Sequence, residues 1–237
     1  MRHLPDSLML FAAGFGTRMG RLTAEQPKPL IPVAGRALVD HALDLTQGLG
    51  LKRIVVNVHY RPDMIRTHLQ DRTDILFSAE TETILETGGG LKAALPMLRG
   101  SPVLTLNTDA VWSGPNPLVV LGDAWDGSRM DALMLMVTTD RAIGHRGRGD
   151  FAADAAGRLR RGDGFVYVGA QIIRTEAVSA VPDRVFSLNR IWDDMSTAGR
   201  LFGAIYPGQW CDVGQPQSIA LAEAMLASAL AEMPVPL

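Results

Sequence analysis

The chain has 237 residues and a mass of 25.6 kDa, which is enough for one large α/β domain or two small ones. Its 47% hydrophobic and 20% charged residues are typical of a globular protein and exclude a disordered or fibrous chain. The 23 basic residues nearly balance the 25 acidic ones, and this balance argues against nucleic acid or an anionic membrane as a partner. A bound anion would therefore be held by local donors.

The one cysteine, Cys211, has no second cysteine for an internal disulfide or a metal cluster, so we predict that it is a core residue. The first residues do not resemble a signal peptide, and no segment approaches the ~18 apolar residues of a membrane span. These features lead us to expect a cytoplasmic protein.

Strand and helix patterns alternate through the first 107 residues. Short apolar runs predict strands at 8–13, 53–58, 74–78 and 102–106, and helical spacing predicts helices at 37–49, 62–69 and 90–98. This order predicts an α/β fold with a Rossmann-like, mostly parallel sheet and helices on both faces. Because such sheets bind ligands at the carboxyl ends of their strands, the site is expected just after Ala13, Val58, Ser78 and Leu106.

The second half of the chain is less regular. Predicted strands at 131–139, 151–158 and 164–173, the last two separated by a turn at 160–163, indicate a small antiparallel insertion. A helix at 188–198, a strand at 201–206 and a last helix at 216–233 follow. Since no repeat or linker interrupts the pattern, we predict a single domain over 1–237.

A glycine-rich turn follows the first strand, with the sequence Ala12-Ala13-Gly14-Phe15-Gly16-Thr17-Arg18-Met19. Successive backbone amides in such a turn bind anions, and Arg18 and Lys28 would add positive charge for phosphates. The spacing fits neither a Walker loop nor the dinucleotide fingerprint, whose third glycine would fall on Met19. Taken alone, the turn also fits an ordinary connection between a strand and a helix with two solvated cations.

This turn and the later segment Pro27-Lys28-Pro29-Leu30 together resemble the opening motif of the sugar-1-phosphate nucleotidylyltransferases. Arg21 departs from the proline that the family has there. The resemblance implies that a sugar 1-phosphate attacks a nucleoside triphosphate, giving a nucleotide-sugar and pyrophosphate without an enzyme nucleophile. It implies three catalytic residues, Arg18, Lys28 and Asp109, and a nucleotide-binding set of Ala12, Ala13, Gly14, Gly16, Thr17, Glu80, Thr87 and Gly88.

The resemblance also implies a magnesium site. Asp109 follows the strand that ends at Leu106, and Asp212 lies in a late segment, Trp210-Cys211-Asp212-Val213-Gly214, that matches the family. Carboxylates are hard oxygen ligands that suit Mg²⁺, which needs few protein ligands. The two residues are 103 positions apart, so their pairing is implied by the resemblance and not by spacing. Thr108 departs from the glycine usual in the family.

The resemblance also implies a sugar-phosphate site, in which Asp150 contacts the sugar and Gly169 and Asn107 lie near it. Residues 1–110 would then form mainly the nucleotide-binding half, 111–215 the sugar-phosphate half and 216–237 the C-terminal helix. The triglycine Gly88-Gly89-Gly90 would support a flat base, although a plain flexible loop before a helix fits the same residues. His145, Arg146 and Arg148 would meet a phosphate or a carboxylate, unless they form a solvated loop.

Within the family the segments 86–96 and 145–151 are similar to members that transfer UMP from UTP to N-acetylmuramate α-1-phosphate in cell-wall recycling. The alternatives are guanylyl or other nucleotidylyl transfer to mannose 1-phosphate or a heptose phosphate, and a non-catalytic sensor of nucleotide-sugars. We expect Mg²⁺ as the cofactor, no nucleic acid or membrane partner, and a monomer or homodimer.

Overall fold

The computed structural model describes residues 5–231, with the side chain of residue 230 left out. Its strands are β1 (Ser7–Phe11), β2 (Pro32–Val33), β3 (Arg36–Ala37), β4 (Arg53–Val58), β5 (Ile75–Ala79), β6 (Val103–Asn107), β7 (Ala110–Ser113), β8 (Ala132–Thr138), β9 (Ala142–Ile143), β10 (Phe151–Ala153), β11 (Leu159–Arg161), β12 (Phe165–Ile173), β13 (Leu201–Ile205) and β14 (Gln209–Asp212). Its helices are α1 (Leu38–Asp44), α2 (Pro62–His68), α3 (Glu86–Leu98), α4 (Pro117–Ala124), α5 (Glu176–Ala180), α6 (Leu188–Thr197) and α7 (Gln217–Ala231).

The main sheet has nine strands. Its central part runs in the order β13-β8-β12-β6-β1-β4-β5, and β10 and β11 extend it from the far end of β12. Strands β1, β4, β5 and β6 are mutually parallel, whereas β12 is antiparallel to β6 and β8. The predicted α/β fold with a mostly parallel sheet is therefore confirmed.

Alternating side chains of the strands enter separate cores on the two faces of the sheet. Leu8 and Leu10 of β1 pack in a core that includes α1, α2 and α4, and Met9 packs in a second core with α3, α5 and α6. Helices thus cover both faces, as the alternation of elements predicts. A third, smaller cluster beneath α7 includes Cys211, which is fully buried as predicted.

Three predicted boundaries are wrong. The first helix ends at Asp44 and gives way to turns, and α3 begins at Glu86, four residues before the predicted start, because Gly88–Gly90 lie inside its first turns. The strand predicted at 151–158 ends at Ala153, and β11 (Leu159–Arg161), which pairs with β10, takes up the first part of the turn predicted at 160–163 and moves it to a bend at 162–164. A second turn, earlier in the chain, connects β10 to β11. Asp154 forms that earlier turn by accepting hydrogen bonds from the amides of Ala156 and Arg158.

The last predicted helix is present as α7, and residues 232–233 of its predicted range lie outside the described residues. Among residues 5–231, no helix has the length and apolar character needed to cross a bilayer.

Candidate active site

A cleft of about 210 Å³ opens at the carboxyl ends of β1, β4, β5 and β6, where the strand order predicts a ligand site. The side chains and backbone that line it come from five separate segments: Phe11, Ala12, Ala13, Gly14, Lys28, Pro29, Asn57, Glu80, Ile84, Glu86, Thr87, Asn107, Thr108 and Asp109. Eight of the residues predicted for the site therefore meet in one cleft.

The glycine loop forms one wall of this cleft. Ala12 and Ala13 are buried, and a Cβ added to Gly14 would meet nothing within 4 Å, so the backbone there is open to a ligand. Gly16 has a φ of 63°, and a Cβ there would come within 2.8 Å of the Lys28 side chain. Thr17 and Arg18 are exposed and begin a 3-10 turn outside the cleft lining. The loop thus packs its second glycine against the segment that carries the lysine.

Lys28 reaches the cleft from the first position of a short 3-10 turn, Lys28–Leu30, which Pro27 precedes and which contains Pro29. Lys28 is only 9% exposed, and its Nζ donates a hydrogen bond of 3.0 Å to Oδ2 of Asp109. Thr108, which departs from the family pattern, donates its hydroxyl proton to the Phe11 carbonyl and so fixes the end of β6 to the end of β1. A positive and a negative group are therefore held together at the floor of the cleft.

A three-stranded sheet, β7-β14-β9, brings Asp212 beside Asp109. Asp212 pairs with Ala110 in the antiparallel register of β7 and β14, and the Val213 amide donates to the Asp109 carbonyl at 2.8 Å. Burial and then the charge of Asp109 raise the pKa of Asp212, while Lys28, Arg18 and His145 lower it. The two carboxylates that sequence resemblance pairs are thus electrostatic neighbours in the fold.

Gly214 lies between this pair and the predicted arginine. A Cβ at Gly214 would be 2.8 Å from Asp212 Oδ2 and 3.2 Å from a terminal nitrogen of Arg18. Arg18 therefore approaches the carboxylates from outside the cleft lining.

The residues present fit a magnesium ion. Asp109 and Asp212 supply hard carboxylate oxygens, and the rise in the Asp212 pKa caused partly by Asp109 shows a like-charge repulsion that a cation would relieve. No group of three or more histidine, cysteine or acidic residues able to hold a metal occurs in residues 5–231. Two carboxylates agree with Mg²⁺, which keeps several water ligands.

Glu80 lies at the opposite end of the cleft and is only 3% exposed. Its carboxylate accepts hydrogen bonds from Asn57 and from the Leu85 amide, both at 2.7 Å. Sequence reasoning missed Asn57, whose only signal is one amide side chain inside the apolar run of β4. Its place in the cleft makes it part of the candidate site.

The start of α3 faces the segment before α6. Phe186 accepts hydrogen bonds at its carbonyl from the Gly88 and Gly89 amides, and its ring would be 2.4 Å from a Cβ on Gly88. The Thr87 hydroxyl accepts from the Leu188 amide and still lines the cleft. The structure therefore places Gly88 against Phe186 and outside the cleft lining, and its predicted contact with a base stays a prediction.

The predicted sugar-phosphate residues lie on three neighbouring segments: Asn107 ends β6, Gly169 lies within β12, and Asp150 directly precedes β10. Asn107 lines the cleft, and a Cβ on Gly169, whose φ is 77°, would lie 2.8 Å from its amide nitrogen. Asp150 is exposed and accepts a hydrogen bond from the Tyr167 amide at 2.9 Å, two residues before Gly169. These residues form a continuous path away from the cleft, although Asp150 and Gly169 do not line it.

An α/β sheet with an open glycine loop, a buried lysine and paired carboxylates at its carboxyl edge is typical of an enzyme that transfers nucleotidyl groups. The chain belongs to the family of MobA-like NTP transferase domains, whose sequence profile matches residues 8–233. The predicted membership in the nucleotidylyltransferases is confirmed.

Two similar proteins are N-acetylmuramate α-1-phosphate uridylyltransferases. The protein of Caulobacter vibrioides is 39% identical over 97% of this chain and 100% of its own length. The protein of Neisseria meningitidis serogroup B is 30% identical over 92% of this chain and 96% of its own length. In fold, the inositol-1-phosphate CTP transferase of T. maritima superposes with a TM-score of 0.79 at 13% identity, covering 99% of this chain and 100% of that one.

Proposed function

We propose that this protein transfers UMP from UTP to N-acetylmuramate α-1-phosphate, giving UDP-N-acetylmuramate and pyrophosphate. The observation that carries the substrate assignment is the 39% identity, along both chains, to the Caulobacter vibrioides uridylyltransferase. The site supports the class of reaction, because exposed loop backbone, a buried lysine and Asp109 line the cleft, and Asp212 lies beside Asp109. We also propose cytoplasmic recycling of cell-wall sugars as its setting, with a monomer or homodimer as the active form.

In the proposed reaction an oxygen of the sugar phosphate forms a bond to the α-phosphorus of UTP, and the bond to the leaving pyrophosphate breaks. The nucleophile is already ionised near neutral pH, so no residue needs to remove a proton. The chain must instead orient two anions and neutralise their charge. Lys28 and Arg18 perform the second task from two sides of the carboxylate pair, while Gly14 and Gly16 shape the backbone that holds the phosphates.

Asp109 and Asp212 are proposed to hold Mg²⁺. When bound, the ion supplies positive charge to the reacting phosphates and helps to keep them aligned. Lys28 holds the Asp109 carboxylate in the cleft through its 3.0 Å hydrogen bond. The backbone bond from Val213 to Asp109 keeps the second carboxylate in register with the first.

The two halves of the chain are proposed to bind the two substrates. Residues 1–110 would hold the nucleotide between the glycine loop and the segment of Glu80 and Thr87. Residues 111–215 would hold the sugar phosphate along Asn107, Gly169 and Asp150. Helix α7 (Gln217–Ala231) would support the strand of Asp212, since Ala222 and Met225 pack in the cluster of Cys211.

The loop 144–149 is proposed to recognise the carboxylate that distinguishes N-acetylmuramate from N-acetylglucosamine. It starts beside the metal ligands, because a Cβ on Gly144 would be 2.9 Å from the Asp212 carbonyl, and it ends at Asp150. Nε2 of His145 is buried and has no hydrogen-bond partner among the described residues. Arg146 and Arg148 are exposed, and the Arg148 guanidinium forms a 3.4 Å ion pair with Asp163.

The test is an assay of pyrophosphate release with each of the four ribonucleoside triphosphates, Mg²⁺ and a panel of sugar 1-phosphates. We expect release with UTP and N-acetylmuramate α-1-phosphate. Release with GTP and mannose 1-phosphate instead would support the guanylyltransferase alternative, and binding of a nucleotide-sugar without any release would support a sensor. Release with no pair of substrates would refute the enzymatic proposal.

A matched pair of variants tests the metal assignment. Asp109→Asn is expected to lower kcat by at least about 100-fold, because it removes the negative charge that binds the cation. Asp123→Asn, on the exposed surface of α4, removes the same charge outside the cleft and is expected to leave kcat unchanged. Near-normal turnover of Asp109→Asn would contradict the assignment.

A further inference from the structure

We infer that Asn57 and Glu80 are positioning residues that join the glycine loop to the base end of the cleft and so set the affinity for the nucleotide. The inference rests on the proposed function only in that a nucleoside triphosphate occupies the cleft. It concerns a chain of three buried hydrogen bonds. This chain runs from the Ala12 amide, through the two side chains, to the Leu85 amide.

The order of donors and acceptors along these three hydrogen bonds is fixed by the backbone amides at its two ends. Backbone amides only donate, so Asn57 must present Oδ1 to the Ala12 amide, at 2.8 Å, and its Nδ2 to Glu80. Glu80 then accepts from Asn57 at Oε1 and from the Leu85 amide at Oε2, both at 2.7 Å. Each of the three bonds therefore depends on the orientation of the next.

The three segments joined in this way all form walls of the cleft. Ala12 leads into the open backbone at Gly14, and the residues on both sides of Leu85, Ile84 and Glu86, line the opposite wall. Asn57 and Glu80 are both 3% exposed. Their hydrogen bonds therefore fix the separation of the wall at Ala12 and Gly14, the phosphate wall, from the wall at Ile84 and Glu86, the base wall, before a nucleotide enters. Less conformational entropy of these walls is then lost when the nucleotide binds.

Glu80 has little freedom to leave this arrangement. Its amide donates to the Val58 carbonyl at 2.9 Å, and its own carbonyl is 2.6 Å from Nδ1 of His59. Helix α3 closes over it at Gly90, where a Cβ would be 2.9 Å from Oε1 of Glu80 and 3.0 Å from Nδ2 of Asn57. No ion pair in residues 5–231 includes Glu80, so neutral donors alone hold its carboxylate. These contacts indicate a role through the neighbouring backbone.

Because donors and acceptors have a fixed order in these hydrogen bonds, exchanging the amide and the carboxylate between positions 57 and 80 tests the inference. Asn57→Asp places two acceptors face to face, and Glu80→Gln leaves one bond of the chain without a matching donor and acceptor. The double variant N57D/E80Q restores all three bonds. The carboxylate introduced at position 57 accepts from the Ala12 amide and from the amide group introduced at position 80, whose oxygen still accepts from the Leu85 amide. The double variant also keeps the net charge and the volume of the pair.

We expect each single variant to raise the Kd for UTP by about 10-fold or more, which corresponds to about 1.4 kcal/mol, because a mispaired buried pair no longer holds the two walls at the separation that the nucleotide fits. The double variant is expected to return to within about threefold of the wild-type Kd. In steady-state assays the singles should raise KM for UTP while KM for the sugar 1-phosphate changes less than about threefold. Asn116→Asp is the matched control, because Asn116 also bonds backbone through both ends of its amide, to Leu118 and Leu45, outside the cleft. It is expected to lower stability without changing the Kd for UTP.

Calorimetric titration with UTP, combined with thermal unfolding of each variant, separates the outcomes. A double variant that binds UTP as weakly as the singles refutes the inference. An equal rise in KM for both substrates also refutes it, because that result would indicate a general loss of stability. A change of base preference in Glu80→Gln that the double variant keeps refutes it as well, because that result would indicate direct contact between Glu80 and the base. A wild-type chain that binds none of the four triphosphates refutes the proposed function itself, and the inference with it.

Discussion

Substitution of Gly214 by alanine tests whether the separation of Arg18 and the carboxylate pair matters for turnover. The added methyl would lie 2.8 Å from Oδ2 and 3.1 Å from Oδ1 of Asp212, and 3.2 Å from the Arg18 guanidinium. Ordinary contact begins at 3.4 Å, so the Asp212 carboxylate must move by roughly 0.6 Å. The glycine has no left-handed φ, so the alanine backbone adds no strain of its own.

A displacement of this size predicts a measurable loss. Misplacing a reacting group by about 1 Å costs on the order of 100-fold in rate, so about 0.6 Å is expected to lower kcat on the order of 10-fold. Because Asp212 is proposed to bind the cation, the Mg²⁺ concentration for half-maximal activity should rise as well. Overpacking predicts a loss of about 1–3 kcal/mol in the free energy of unfolding.

The assay is pyrophosphate release over a range of Mg²⁺ concentrations, with urea unfolding in parallel. Gly100→Ala is the matched control, because a Cβ there meets nothing within 4 Å and its φ is unexceptional. It should leave kcat unchanged and alter stability by less than about 1 kcal/mol. If Gly214→Ala keeps both the wild-type kcat and the wild-type Mg²⁺ dependence, the carboxylate does not act at the position proposed.

Three further substitutions or treatments have expected outcomes. Burial and then the charge of Asp109 raise the pKa of Asp212 above its ordinary 3.8. The folded metal-free chain therefore retains a proton that the unfolded chain releases. As a result, the free energy of unfolding falls as the pH rises from 3.8 through the raised pKa of Asp212. Asp212→Asn should flatten this dependence in urea unfolding with chelator between pH 4 and 8, and parallel curves for the two proteins would contradict the sign. Gly169 has a φ of 77°, and a Cβ there would lie 2.8 Å from the Asn107 amide nitrogen, so Gly169→Ala should lower the free energy of unfolding by about 1–3 kcal/mol. It should also raise KM for the sugar 1-phosphate more than KM for UTP, and equal effects on both KM values would argue against a position near the sugar. Burial raises the pKa of the Cys211 thiol to about 12, so a thiol reagent should label Cys211 only in denaturant, and rapid labelling of the native chain would contradict the packing of this cluster.

The wall of the cleft that contains Gly14, Lys28 and Asp109 could be predicted from the sequence because its signals are local. A glycine turn directly after a buried strand predicts the open backbone at Gly14, and the proline-flanked Lys28 lies only ten residues after Arg18. The end of β6 similarly predicts the place of Asp109, because the carboxyl ends of parallel strands share one edge. These residues need no knowledge of distant contacts.

The base wall could not be predicted in the same way. The triglycine suggests a surface for a base, yet Gly88 packs on Phe186, almost 100 positions later, and no pattern in the sequence connects these two segments. The role of Asn57 depends on Ala12 and Glu80, which neighbouring strands bring together. The strand predicted at 151–158 was wrong because Asp154 forms a turn between β10 and β11 through hydrogen bonds to the amides that follow it.

Because β14 must pair with β7 to complete the site, measured enzyme activity requires complete folding of the chain. Lys28 and Asp109 can meet once β6 has joined β1, but Asp212 enters the site only when residues 209–212 pair with β7. A chain interrupted before residue 209 would lack the second carboxylate. Because residues 209–212 are synthesised after β1 and β6, we expect turnover to appear only after they have paired with β7, whereas Lys28 and Asp109 can meet earlier.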